Sequence, residues 1–134
     1  MCSQISPKQF LFNEQIDSRY MESMYDNDLA YIEEIFQNTQ AEIEQSIPIM
    51  ENAFRSGDII SLKQSIHKIK PCFGFTGLLH IQHLLQQFED ASPGYDSVES
   101  LNLFYNEVRL SIAEGLRIIR HEYIVLKEFN QSTI

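Results

Sequence analysis

Apolar residues recur along this chain at alternating intervals of three and four. The longest early run is Leu29, Ile32, Phe36, Thr39, Ile43, Ile47, Met50 and Phe54. That spacing lines them up on one face of an α-helix, with Asn27 or Asp28 as its N-cap. The phase survives Pro48, so the run reads as one helix kinked there; the alternative has Ser46 capping a new helix. Gly57-Asp58 ends this helix and caps the next. A further pattern, Ile59, Leu62, Ile66, Ile69 and Phe73, predicts another helix, broken by the segment Gly74 to Gly77. Leu78, Ile81, Leu84, Leu85 and Phe88 face inward on a fourth. Ser92-Pro93-Gly94 reads as a loop, and Asp96 with Glu99 as a capping box. Val98, Leu101, Tyr105, Val108, Ile112, Ile119, Tyr123 and Leu126 mark a last helix running to about Phe129.

Four long amphipathic helices joined by short loops predict an all-α, antiparallel four-helix bundle over residues 17–134. Asp17 to Tyr25 predicts a short extra helix with Asp17 as its N-cap. Residues 1–16 show no clean period, but the apolar knot Phe10-Leu11-Phe12 predicts an arm packed on the bundle.

Composition supports a folded helical domain. The chain has 134 residues, 43% of them hydrophobic, with only five Gly and four Pro, so few turns are needed. Cys2 and Cys72 make no disulfide framework and read as reduced thiols, which points to the cytoplasm. No apolar stretch reaches membrane-spanning length, and the N-terminus does not resemble a secretory signal.

Charge changes the picture. The net charge of −9 argues against nucleic acid as the main partner. Eleven of the acids precede Ser61 and eight follow Phe88, leaving none between those residues. That window carries Lys63, Lys68, Lys70 and three of the four histidines, His67, His80 and His83. One surface is therefore suited to an anionic partner.

The face of the third helical pattern that points away from the core is unusual. At about 100° per residue, His67 falls roughly 130° from the core direction and should be exposed. Lys63, Lys70 and Gly74 share its face, with Ile60, Gln64 and Pro71 at the edge. Gly74 weakens a helix by about 1 kcal/mol relative to alanine. Pro71 lacks a backbone donor. Small or flat residues beside an exposed imidazole leave room for a large partner to reach the ring.

The string His67-Lys68-Ile69-Lys70, followed by Gly74, Gly77 and Leu78, resembles the signature of histidine phosphotransfer (HPt) domains. In that family the acceptor histidine has Lys three residues on, then small residues, and Gly ten residues on. The likeness continues through His80-Ile81-Gln82 to Gln86-Gln87, and more weakly from Arg120-His121-Glu122 to Leu126-Lys127. It covers roughly Asp28 to Phe129 and is most similar to the HPt domain ending the hybrid sensor kinases of anaerobic respiratory control. Pro71 departs from the pattern, which usually has Gly there.

The resemblance implies a phosphorelay carrier rather than an enzyme. His67 would accept a phosphoryl group, through Nε2, from a receiver-domain aspartate and pass it to another. The receiver of a response regulator or hybrid kinase would bring the aspartate and Mg²⁺, and this chain would need no cofactor of its own. Lys70, one turn beyond His67, is suited to offset the phosphoryl charge, and Lys63 to assist docking; Lys68 points farther round. Gly74 is either steric clearance or the start of the helix break. Ile60 and Phe75 are candidates for an apolar rim, Phe75 equally for the core. The other ring nitrogen needs a partner. Gln82, Gln86 and Glu89 share a flank of the next helix, and the resemblance places Glu89 where related domains carry a polar residue that can bond the histidine. Gln86 is the second candidate.

Other chemistry is less well supported. His80 and His83 could share a metal-binding face, but no third ligand is suitably spaced. Five residues separate Cys72 from His67, which does not bring them together on a helix. No phosphate-binding Gly-rich loop or kinase signature is present. The competing reading is an HPt-like module that docks a receiver or kinase and inhibits it without phosphotransfer; a purely structural bundle is a third. The initiating Met and the arm favour a free-standing carrier, and the need to leave the histidine helix open favours a monomer.

Overall fold

The computed structural model describes residues 9–91 and 101–132. Five helices follow in order: α1 (Ser18–Tyr25), α2 (Leu29–Arg55), α3 (Ile59–Phe75), α4 (Leu79–Ala91) and α5 (Asn102–Ser132). Three aspartates start the first three. Asp17, Asp28 and Asp58 each accept a hydrogen bond from a backbone amide three residues on, at Tyr20, Tyr31 and Ser61. These bonds satisfy donors that a helix N-terminus cannot use itself. The amide and hydroxyl of Ser61 hold the exposed Asp58 carboxyl below its ordinary range. The expected loop at Ser92-Pro93-Gly94, the Asp96–Glu99 capping box and Val98 lie outside the described residues.

The long second helix is continuous through Pro48, and Ser46 is buried inside it rather than capping a new one. The third helix also runs farther than its sequence suggests. It continues through Gly74 to Phe75 and turns at Gly77, whose φ of 73° is the left-handed conformation that glycine adopts freely.

Helix α2 packs on α3 and α5, and α4 packs on the same two, so α3 and α5 lie diagonally across the bundle. Across that diagonal, Phe73 of α3 packs directly on α5 at Gly115. A Cβ there would lie 2.6 Å from the Phe73 ring and 2.8 Å from Ile81. Phe36, Met50, Leu62, Ile66, Ile69, Phe73, Leu85, Phe88 and Ile119 are fully buried between the helices.

The arm closes one side of this core. Phe10 meets Phe12 and Phe129 edge to face, and Phe12 stacks on Phe36. The Asn13 amide donates to the buried Glu122 carboxylate at 2.9 Å. The Asp17 amide donates to the Gly77 carbonyl, and the Tyr25 hydroxyl donates to the Phe75 carbonyl at 2.7 Å. Arm and α1 therefore brace the turn between α3 and α4.

Cys72 is buried on α3, where desolvation and the nearby Glu42 charge push its thiol up to about 12. The thiolate is the reactive form, so little is available near neutrality. Alkylation of Cys72, followed by peptide mass spectrometry at pH 8, should be at least ~100-fold slower in the native protein than in denaturant.

Candidate functional site

Ile60, Gln64, His67, Pro71 and Phe75 lie three or four residues apart along α3 and form its outward ridge. Ile60 is 72% exposed and Phe75 44% exposed. Between them the His67 side chain is 69% exposed. Phe75 is therefore on the exposed ridge and not in the core. Pro71 offers no amide to the His67 carbonyl one turn back, the normal helical donor to that group.

His67 is exposed but not free to rotate. Its Nδ1 lies 2.7 Å from Oε1 of Glu89 on α4, a carboxylate that is almost fully buried. The other carboxylate oxygen, Oε2, pairs with the Lys70 ammonium at 2.7 Å. Lys70 also donates to Gln86 Oε1 at 2.6 Å, and Gln86 donates to Asp90. One buried carboxylate thus joins the histidine and the lysine. An ionised carboxylate can only accept, so the hydrogen on this bond sits on Nδ1. The lone pair of Nε2 is then directed outward. Here burial of Glu89 is tolerable because both its oxygens are engaged, one of them by an opposite charge.

The remaining sequence-predicted residues fall on several sides of this unit. Gln64 is exposed and Lys63 half-buried on α3, while Lys68 is exposed. Gln86 contacts Lys70 rather than His67. Gln82 lies against Gly74: a Cβ on that glycine would come within 2.5 Å of the Gln82 amide. Gly74 itself is buried. The expectation that Gly74 clears the exposed face beside His67 is therefore corrected. Its hydrogen faces α4, and its lack of a side chain serves helix packing. The angular calculation fixes a residue's position around its own helix, but not the flank on which the next helix returns. Lys70 lies on that returning flank too: its side chain is only 16% exposed and is held by Glu89 and Gln86. Spacing along each helix alone leaves Lys70 and Glu89 as separate candidates. A lysine one turn past the histidine, opposite an acid three residues after a glutamine, was the signal for their pairing. His80 and His83 are both exposed on α4. Among the described residues no cluster of His, Cys, Asp and Glu suited to a metal ion occurs.

The family model for the Hpt domain matches residues 34–114, more than half of the chain. The chain belongs to the Hpt domain family. Comparisons with curated proteins and with solved structures gave no match. The matched region runs from the first turns of α2 to the middle of α5. It contains His67, Lys70 and Glu89, while the arm and α1 precede it. Membership of the Hpt family assigns the chain, at that level, to histidine phosphotransfer in two-component phosphorelays. Hpt domains act there as carriers rather than catalysts. No described helix of this Hpt domain is long and apolar enough to cross a membrane.

Proposed function

We propose that His67 accepts a phosphoryl group from the aspartyl phosphate of a receiver domain and returns it to the aspartate of another. The observation that carries this reading is an outward Nε2 on a ring whose Nδ1 is fixed by Glu89. In the forward step the Nε2 lone pair forms an N–P bond while the P–O bond to the receiver aspartate breaks. The aspartate leaves as a carboxylate, and the imidazole keeps its Nδ1 hydrogen. The ring becomes cationic, and Glu89 lies against the nitrogen that shares this charge. No proton has to leave, so the reverse step needs no proton to be taken up.

The receiver brings Mg²⁺ and most of the catalytic groups; this chain supplies position. Lys70, anchored on Glu89, balances the carboxylate's charge and places positive charge one turn from the phosphoryl group. Ile60, Pro71 and Phe75 give the receiver an apolar surface, and Gln64 and Lys63 give it polar and cationic contacts. We place the protein in the cytoplasm, as a monomer with the α3 ridge open.

Mixing the chain with a phosphorylated receiver tests this. Acid-labile, alkali-stable phosphate should appear on the wild-type chain. Stable binding with no label would instead indicate a docking inhibitor. Glu89 offers a sharper measurement. Glu89→Ala should slow transfer by about 10- to 100-fold, the usual size for a group that orients a histidine through its second nitrogen. Nitrogen NMR of the ring should show one dominant tautomer in the wild type and a mixture in the variant. Glu89→Gln, which can still accept at Nδ1, should recover part of the rate. Equal rates for all three would remove Glu89 from the mechanism.

A further inference from the structure

The Lys70 ammonium lies between α3 and α4 with two acceptors closed on it. Glu89 Oε2 stands at 2.7 Å and Gln86 Oε1 at 2.6 Å. The Gln86 amide is fixed from behind: its Nε2 donates to Asp90 Oδ1 at 2.9 Å, one turn along α4. This orientation is forced. A flipped amide would turn its hydrogens toward the ammonium and its oxygen toward the Asp90 carboxylate, and both contacts would repel. Asp90, Gln86, Lys70, Glu89 and His67 form one unbroken chain of hydrogen bonds and ion pairs.

A lysine one turn past His67, on a flexible four-carbon stem, can otherwise swing out to the oxygens of a phosphoryl group on Nε2. That group carries up to about two negative charges, and a freed ammonium would bind them well. Onward transfer breaks the Nε2–P bond and forms an O–P bond on the receiver aspartate, and Nε2 recovers its lone pair. A cation that grips the phosphoryl oxygens on this chain opposes that step. Lys70 is only 16% exposed and gives up two short contacts before it can make the move.

We propose that Gln86 and Asp90 are positioning residues that latch Lys70 onto Glu89 and so keep the phosphorylated chain a ready donor. The latch sets the balance between retaining the phosphoryl group and passing it on. Its effect on transfer rests on the reading of His67 as the acceptor; the latch itself rests on the contacts of Lys70 alone.

In the full, unphosphorylated chain, nitrogen NMR of the lysine ammonium groups should show a slowly exchanging Lys70 signal. Gln86→Ala should broaden it beyond detection, and Asp90→Ala should weaken it. Asp90→Asn keeps an acceptor for Gln86 and should retain it. Gln87→Ala should leave it unchanged. Gln86, Gln87 and Asp90 are exposed, so these variants should fold normally. At equilibrium with a phosphorylated receiver domain and Mg²⁺, Gln86→Ala should raise the ratio of phosphohistidine to aspartyl phosphate about three- to tenfold, the scale of one exposed hydrogen bond to a charged group. In a Lys70→Met background the same change should do nothing, since Gln86 acts only through the lysine. An ammonium signal indifferent to Gln86→Ala overturns the latch. So does an unmoved ratio, or a shift that persists in Lys70→Met. Absence of phosphohistidine in every variant would instead overturn the acceptor reading, and the effect on transfer with it, while the ammonium signal still decides the latch.

Discussion

His67→Ala should abolish phosphoryl labelling by any phosphorylated receiver and leave the fold intact. The side chain is mostly exposed, and its loss opens no cavity. Glu89 keeps its ion pair with Lys70, so no buried charge is stranded. Surface changes of this kind usually fall within about ±0.5 kcal/mol, and the thermal midpoint should hardly move. Exposure alone would not select this histidine. His80, His83 and His121 are exposed as well, yet among the described residues His67 is the one histidine whose ring bonds to a side chain. The measurement is acid-labile phosphate on the purified variant, with circular dichroism as the control for folding. Labelling that persists in His67→Ala, at any other histidine, would defeat the assignment.

The largest effect on stability should come from Phe73→Ala. Phe73 is fully buried on α3 and lies against the backbone of α5 at Gly115. Truncating it removes the ring that fills the diagonal of the bundle. Gly115 offers no side chain of its own to refill the space. Removing a buried phenylalanine typically costs about 3–5 kcal/mol. A domain of this size has only about 5–15 kcal/mol in total. Urea unfolding should therefore show a much lower midpoint with a similar slope. A loss below about 1 kcal/mol would mean that the α3–α5 contact is not as close as described. Gly115→Val tests the same contact from the other side, since its methyls would crowd the Phe73 ring and Ile81.

The helices were readable from sequence because an amphipathic stripe is periodic and local. Asp17, Asp28 and Asp58 stand where a capping side chain is needed, and each caps its helix. The apolar phase across Pro48 correctly indicated one continuous helix. His67 stood out because a helix face can be computed from its own residues alone. The relations between helices were harder to read. Gly74 shares an angular sector with His67, yet it faces Gln82, because the turn at Gly77 sends α4 back along that flank. The pairing of Lys70 with Glu89 is hidden for the same reason, being a contact across 19 positions of sequence. Gly115 left no trace in the stripe of α5, since a missing side chain carries no periodicity.

The ring proposed to take the phosphoryl group lies on one helix, and the carboxylate that bonds its Nδ1 lies on another, 22 positions away. Neither helix alone can present the nucleophile in the right form. A copy whose fourth helix has frayed still carries the same histidine, but its two nitrogens exchange roles freely. On the proposed reading, competence to join the relay is tied to the integrity of the hairpin, and a frayed copy is expected to compete poorly for a scarce phosphoryl group.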